Sequence, residues 1–366
     1  MDLIPAATLA AAPAAAPAAA VLPAAPVELP ARGFVCGGMP LFSRRDFLFR
    51  TATLATGTAL FGGLAFAENA NAAAGRAPAG WTPLLDANLS QWEPFLGAPR
   101  KGVSVPGYND PAGRKPIGKR DPLGVFTARV VDGEPVLRVS GEIIGGLTSL
   151  RVFSDYRLRF QFRFLEKRWP PRENKPRDNG ILYHCVGAHG AFGGAWMRSV
   201  EFQIQENDVG DFWPLCGSMA DFPARAEADA KGNKLWRYTP GAPLVARGAR
   251  VLRGTNYAER PLGEWNDAEL VVTGGNSKHI LNGRVVNELR DIRYAEGRGA
   301  ARREIRLSAG KIQIQSEFAE VEFRRMFIAP ATEPLALEPA AAAPAAPATT
   351  STAPAAAADA KPAAKP

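Results

Sequence analysis

Between positions 199 and 205 the chain alternates with period two. Val200, Phe202 and Ile204 fall on one side of an extended strand, and Glu201, Gln203 and Gln205 fall on the other. The apolar side belongs in a core. Water-facing strand positions usually draw Lys, Thr or Glu; repeated neutral amides, which offer donors and acceptors together, suit a polyol ligand better. The same division recurs where Leu158, Phe160 and Phe162 oppose Arg159, Gln161 and Arg163, and where Ile312 and Ile314 oppose Gln313 and Gln315. Strands are expected at 136–139, 156–164, 180–184, 199–205, 267–272, 279–281, 311–315 and 319–328, with Gly, Pro and Asn between them. Helical periodicity is scarce. The pattern predicts an all-β fold, an antiparallel β-sandwich or jelly roll. Asn282-Gly283 predicts a tight hairpin, since both central residues must take positive φ. If neighbouring strands align their polar sides, one sheet presents a hydrogen-bonding floor in a shallow cleft. The long segments 168–179 and 208–261 would form its irregular walls.

The two ends have a different composition. Ser43-Arg44-Arg45-Asp46-Phe47-Leu48 has the twin-arginine export pattern; an apolar run to about Phe66 and the small residues Ala70-Asn71-Ala72 follow it. The run is short for a bilayer span and is broken by Gly57, Gly62 and Gly63. Residues 1–72 therefore read as a leader that carries the signal peptide at 43–72, and Met39 is a candidate for the true start. No membrane span is expected after cleavage, and the mature protein is expected in the periplasm or outside the cell. Beyond 330 the chain turns to Ala, Pro and Thr without residues for a core, so 331–366 reads as a disordered tail. The span 75–330 is left as one domain.

The net charge of +8 is unchanged by loss of the leader, which holds four basic and four acidic residues. Lys and Arg are scattered, with no pattern for nucleic-acid binding; weak attraction to acidic envelope polymers is the more modest inference. Cys185 and Cys216 remain after cleavage and lack metal-ligand spacing. They either pair in an oxidising compartment or leave Cys185 as a buried apolar residue.

Further blocks carry a resemblance. Gly80-Trp81-Thr82-Pro83-Leu84-Leu85-Asp86 with Leu89 and Trp92, Asn179-Gly180-Ile181, Val200 to Gln205, Gly263-Glu264-Trp265-Asn266, His279 to Val286, and Gly310 to Gln315 with Val321-Glu322-Phe323-Arg324 occur in the order seen in one family. Over about 80–330 the chain resembles the DUF1080 or 3-keto-disaccharide hydrolase domain family. The resemblance implies a concanavalin-like jelly roll and, for some branches, hydrolysis of glycosides oxidised at the sugar 3-position. The long stretch between Glu201 and Gly263 and the Pro/Arg-rich loop 168–177 depart from the simplest family pattern.

A ketone at C3 acidifies the C2 hydrogen, so a base can remove it, the C1 group is expelled, and water adds back. That route needs a base, a group to stabilise the enolate, and an acid near the glycosidic oxygen. Glu201 matches the family's strand Glu and is the candidate base or metal ligand; otherwise it only binds sugar hydroxyls. Glu206, Asp208 and Asp211 follow the strand and are candidates for the acid, or else a solvated turn. Gln203, Gln205, Gln315 and Asn179 are candidate substrate binders. Trp196 and Trp213 either stack on sugar faces or pack in the core. His184, His189 and His279 are the only histidines. A divalent metal held by His184 and a carboxylate would polarise a ketone. Two other readings stay open: a carbohydrate-binding protein without turnover, and a retaining β-glucanase. Glu201-x-Gln203-x-x-Glu206 resembles the Glu-x-Asp-x-x-Glu signature of the latter, whose two carboxylates work about 5 Å apart.

Overall fold

The computed structural model describes residues 77–341 except 111, 256–258 and 298. The twin-arginine segment, the remainder of the leader and the chain beyond Ala341 lie outside the described residues. Among the described residues the chain forms β1 (Thr82–Pro83), β2 (Trp92–Leu96), β3 (Phe126–Val131), β4 (Glu134–Val139), β5 (Gly145–Ser149) and β6 (Tyr156–Arg168). Then follow β7 (Asp178–Val186), β8 (Arg198–Gln205), β9 (Phe212–Leu215), β10 (Ser218–Ala228), β11 (Lys234–Tyr238) and β12 (Leu244–Gly248). The chain continues through β13 (Asn266–Thr273), β14 (Asn276–Leu281), β15 (Arg284–Glu296), β16 (Arg303–Arg306), β17 (Lys311–Ser316) and β18 (Ala319–Pro330). The only helical piece among them is a single 3₁₀ turn at Gly299–Ala301. No helix among the described residues is long and apolar enough to cross a membrane.

The strands make two antiparallel sheets. The smaller runs β2-β5-β17-β7-β8-β9; the larger runs β11-β10-β15-β14-β13-β6-β18-β4-β3, with β1, β12 and β16 attached to β18, β10 and β15. Period-two alternation decides what lies between them. Ile181 and Tyr183 of β7, Val200, Phe202 and Ile204 of β8, and Ile312 and Ile314 of β17 meet Leu158, Phe160 and Phe162 of β6 and Val321 and Phe323 of β18 in one core. Phe160 sits 6.1 Å from both Phe202 and Phe323, ring centre to ring centre. The Asn282-Gly283 hairpin joins β14 to β15 with positive φ at both residues, as the sequence predicts.

Two expectations are revised. First, β6 lies in the larger sheet, so Arg157, Arg159 and Arg163 do not join the amides of β8. They form a cross-strand ion-pair ladder on the outer face of that sheet instead: Glu269 takes Arg157 at 2.6 Å and Arg159 at 3.1 Å, and buried Glu322 takes Arg129 and Arg163. Alternation sorts the two faces of a strand but not which sheet it enters. Second, the stretch 208–261 is no irregular wall. It supplies β9 to the small sheet and β10, β11 and β12 to the large one. Its strands lacked a period-two signal because the far half of β10 (Arg225–Ala228) and much of β12 are exposed on both faces at the sheet edge.

Cys185 is a buried free thiol, so it does not pair with Cys216. The ordered backbone runs past 330: Ala331 N–H donates to Asp155 O, and Ala341 N–H donates to Gly241 O. Phe160, 2% exposed among three aromatic partners, is the test of the shared core: Phe160→Ala is expected to cost about 3–5 kcal/mol in urea unfolding.

Candidate functional site

The outward face of the small sheet carries the site. Strand register lays its side chains out in rows. One row runs Thr148, Gln313, Leu182, Glu201, Trp213, because Gln313 pairs with Thr148 and Leu182, Leu182 with Glu201, and Glu201 with Trp213. The adjacent row contains Gly146, Gln315, Gly180 and Gln203; beyond it, Glu317 faces Asp178 and Asp178 faces Gln205. Two glycines give this face its depth. A methyl group on Gly146 would lie 2.3 Å from the Gln313 amide carbon, and one on Gly180 would lie 2.0 Å from Glu201 Oε1 and 2.7 Å from Gln315 Oε1. The Glu201 carboxylate thus folds over Gly180, in space that any other residue would occupy.

The floor is more enclosed than an open cleft. Glu201, Gln203 and Gln205 keep only 5%, 6% and 2% of their exposure. Arginines from the two long connections account for this. Arg172 binds Asp178 Oδ2 at 2.7 Å and Gln205 Oε1 at 2.6 Å. Arg250 binds Asp211 Oδ2 at 2.9 Å and lies 3.9 Å over the Trp213 ring.

These guanidiniums are outnumbered by carboxylates, and the proton affinities follow. Burial raises Glu201 well above the usual carboxylate range, and the neighbouring charges of Asp178 and Glu317 add to it, against a smaller opposing effect of Arg250. Asp178 is also raised well above its ordinary value by burial and then by Glu317, although Arg172 opposes both. Burial brings Asp211 up to about 6, with Arg250 acting the other way. Glu201 has no cation within ion-pair distance among the described residues.

The remaining candidates separate by what already binds them. Glu206 leaves the strand on the other side and is held by Arg177 through a 2.6 Å ion pair and a 2.8 Å backbone bond, so it does not face the floor with Glu201. Asp208 accepts from Gln205 Nε2 at 2.7 Å. Asp211 also accepts from Arg253 N–H at 2.7 Å. Asn179 shares the inward side with Ile181; its amide donates to Gln315 O and accepts from Gly180 N–H, which pins β7 to β17. Trp196 packs with Leu182, Cys185, Met197 and Leu215, and its indole N–H donates to Gly145 O. Gln313 is bonded to Thr148 Oγ1 and Met197 N. Three acceptor or donor atoms buried on or beside this floor have no hydrogen-bond partner: Gln315 Oε1, Asp178 Oδ1 and Trp213 Nε1. Free polar groups so deeply buried call for a ligand or water.

The histidines lie elsewhere. His279 is in the core, stacked 4.3 Å from Phe202. Because Gly210 O can only accept, His279 Nδ1 donates to it at 3.0 Å, and Nε2 accepts from Tyr183 O–H at 3.0 Å. His189 contacts Glu93 and stacks on Phe95. His184 is 1% exposed, at φ +53°, with neither ring nitrogen hydrogen-bonded, and burial lowers it to about 3, so its imidazole is neutral. Among the described residues no three His, Cys, Asp or Glu side chains converge as a metal-holding group.

Asp178, Glu317, Arg172 and Arg250 were not singled out in the sequence. Asp178 and Glu317 continue the outward parity of Gly180 and Gln315, and that signal could have found them. The arginines sit in connections without periodicity, and no local pattern reveals them.

The protein is a jelly-roll β-sandwich whose smaller sheet gathers buried carboxyls, amides and an indole N–H on its outward face. The chain belongs to the 3-keto-alpha-glucoside-1,2-lyase-like domain family, whose sequence model matches residues 80–329. Among solved structures, a candidate glycosyl hydrolase from Parabacteroides distasonis is 15% identical, with 69% of this chain and 94% of that chain covered and a TM-score of 0.39. An alginate lyase from a Corynebacterium species is 12% identical, with 67% and 95% covered and a TM-score of 0.30. A carbohydrate-binding module from Bacillus subtilis is 9% identical, with 55% and 89% covered and a TM-score of 0.30. No curated protein matches the chain.

Two outcomes follow from this geometry. Gly180→Ala is expected to evict the Glu201 carboxylate and to cost about 1–3 kcal/mol in chemical unfolding. Folded Glu201 keeps its proton above the pH at which the unfolded chain releases it, so in that window the folded state binds more protons and stability falls as pH rises. Glu201→Gln removes this liability. Its melting temperature relative to wild type is expected to climb as pH is raised from about 4.5 and to level off above the folded Glu201 pKa, as scanning calorimetry across roughly pH 4 to 8 would show.

Proposed function

We propose that the protein is an exported hydrolase of 3-keto-glycosides that works by proton abstraction next to the ketone. The observation that carries this reading is the buried, cation-free Glu201 folded over Gly180, with an unpaired indole N–H and the unpartnered Asp178 Oδ1 on the same face. A raised carboxyl is a stronger base once ionised and is matched to work nearer neutrality. Family membership supports the substrate class.

In this reading the ionised form of Glu201 takes the proton from C2, and the electron pair of that C–H bond moves into an enolate with the C3 oxygen. Trp213 Nε1–H, opposite Glu201 in register, is the free donor for the enolate oxygen. The enolate then expels the C1 oxygen, which takes a proton from Asp178, the carboxyl whose proton affinity burial and then Glu317 raise well above its ordinary value. The C1–O bond breaks and a C1=C2 bond forms. Water adds at C1 and a proton returns to C2, which releases the free 3-keto sugar. Arg172 and Arg250 hold Asp178 and Asp211 in place.

Incubation of the mature protein with a 3-keto-glucoside and, separately, with a plain β-glucan tests the proposal. Free 3-keto sugar is expected from the first and no oligosaccharides from the second. Glu201→Gln is expected to lower turnover by roughly 10²- to 10⁴-fold with circular dichroism unchanged. Unchanged turnover in that variant removes Glu201 from the reaction, and saturable binding without product assigns the site to binding alone.

A further inference from the structure

Gln315 is 2% exposed, yet its side-chain oxygen has no hydrogen-bond partner. It overlies the same glycine as Glu201 Oε1: the position of a Gly180 methyl is 2.7 Å from one oxygen and 2.0 Å from the other. An amide oxygen accepts only, and so does an ionised carboxylate. Two acceptors facing each other over one glycine in a buried site repel. A proton on Glu201 turns the same pair into donor and acceptor.

The charges around the pair point the same way. Asp178 at the start of β7, Glu317 just past β17 and Asp211 from the turn before β9 all act on Glu201 as like charges. Of the two cations, Arg172 is bonded to Asp178 and Gln205 and stands 3.8 Å from Glu317, and Arg250 is bonded to Asp211 and stacked on Trp213. Neither makes an ion pair with Glu201.

We propose that Gln315 is the positioning residue of this site: its amide oxygen receives the Glu201 carboxylic proton in the resting protein, so the base is stored neutral and aimed across Gly180. The inference rests on the reading of Glu201 as the proton-transfer group. With the acceptor gone, the neutral form loses its hydrogen bond and Glu201 ionises more readily. Deleting the acceptor therefore extends activity to lower pH while it loosens the aim of the base, so kcat falls more than KM changes.

Gln315→Met, similar in shape but without the amide, tests this in two ways. In the infrared difference between wild type and Glu201→Gln at neutral pH, a protonated-carboxyl carbonyl band is expected from wild type, and it is expected to weaken or shift to higher frequency in Gln315→Met. In the pH profile of kcat/KM on a 3-keto-glucoside, the acidic limb of Gln315→Met is expected about one pH unit lower than in wild type. A limb that moves upward means that the amide donates to an ionised Glu201, and it overturns the proposal; so does an unmoved limb, or the absence of the carbonyl band in wild type. A band that is present and responds to Gln315→Met in a protein without turnover upholds the proton assignment and sinks the catalytic reading instead.

Discussion

A carboxyl group buried without a cation of its own is costly, and the small sheet is arranged around one. Glu201 sits 5% exposed among Asp178, Glu317 and Asp211, while the two nearby guanidiniums are bonded to other groups. A buried carboxyl in such company meets the cost by holding its proton. The same surroundings that make its charge expensive for the fold raise its affinity for a proton. Stability and chemistry pull in opposite directions at this residue.

The fold bears that cost because the inward faces of the same strands are so well packed. β7, β8 and β17 place Ile181, Tyr183, Val200, Phe202, Ile204, Ile312 and Ile314 into the shared core. With the backbone held from below, the outward positions are free to be polar, and Gly180 and Gly146 lower the floor just where Glu201 and Gln313 lie across it. Asn179 bonds β7 to β17 directly beside Gly180. The seat of the carboxyl is therefore fixed by backbone and not by a mobile loop.

Alternation made the sandwich, the β14–β15 hairpin and the polar row of β8 legible before any coordinates. The Asn282-Gly283 pair is local chemistry and needs no tertiary context. What alternation could not tell was sheet membership: Arg159 and Gln161 follow the same pattern as Gln203 and Gln205 but face away from the site on the other sheet. Nor could it find β10 to β12, whose edge positions have little core to bury. At the site, Glu201 and Gln315 were visible as strand positions. The arginines above them were not, because a residue that reaches a site from a long connection leaves no periodic trace. Trp196 shows the converse limit, since an aromatic near a motif packs as readily as it binds.

The proposed reaction makes one chemical claim, removal of the hydrogen at C2. Reaction of a 3-keto-glucoside in D₂O, followed by proton NMR of the released sugar, tests it most directly. The account predicts deuterium at C2 of the product. A product that keeps its C2 hydrogen in full, with solvent oxygen found only at C1, would contradict the account and indicate direct displacement at the anomeric carbon.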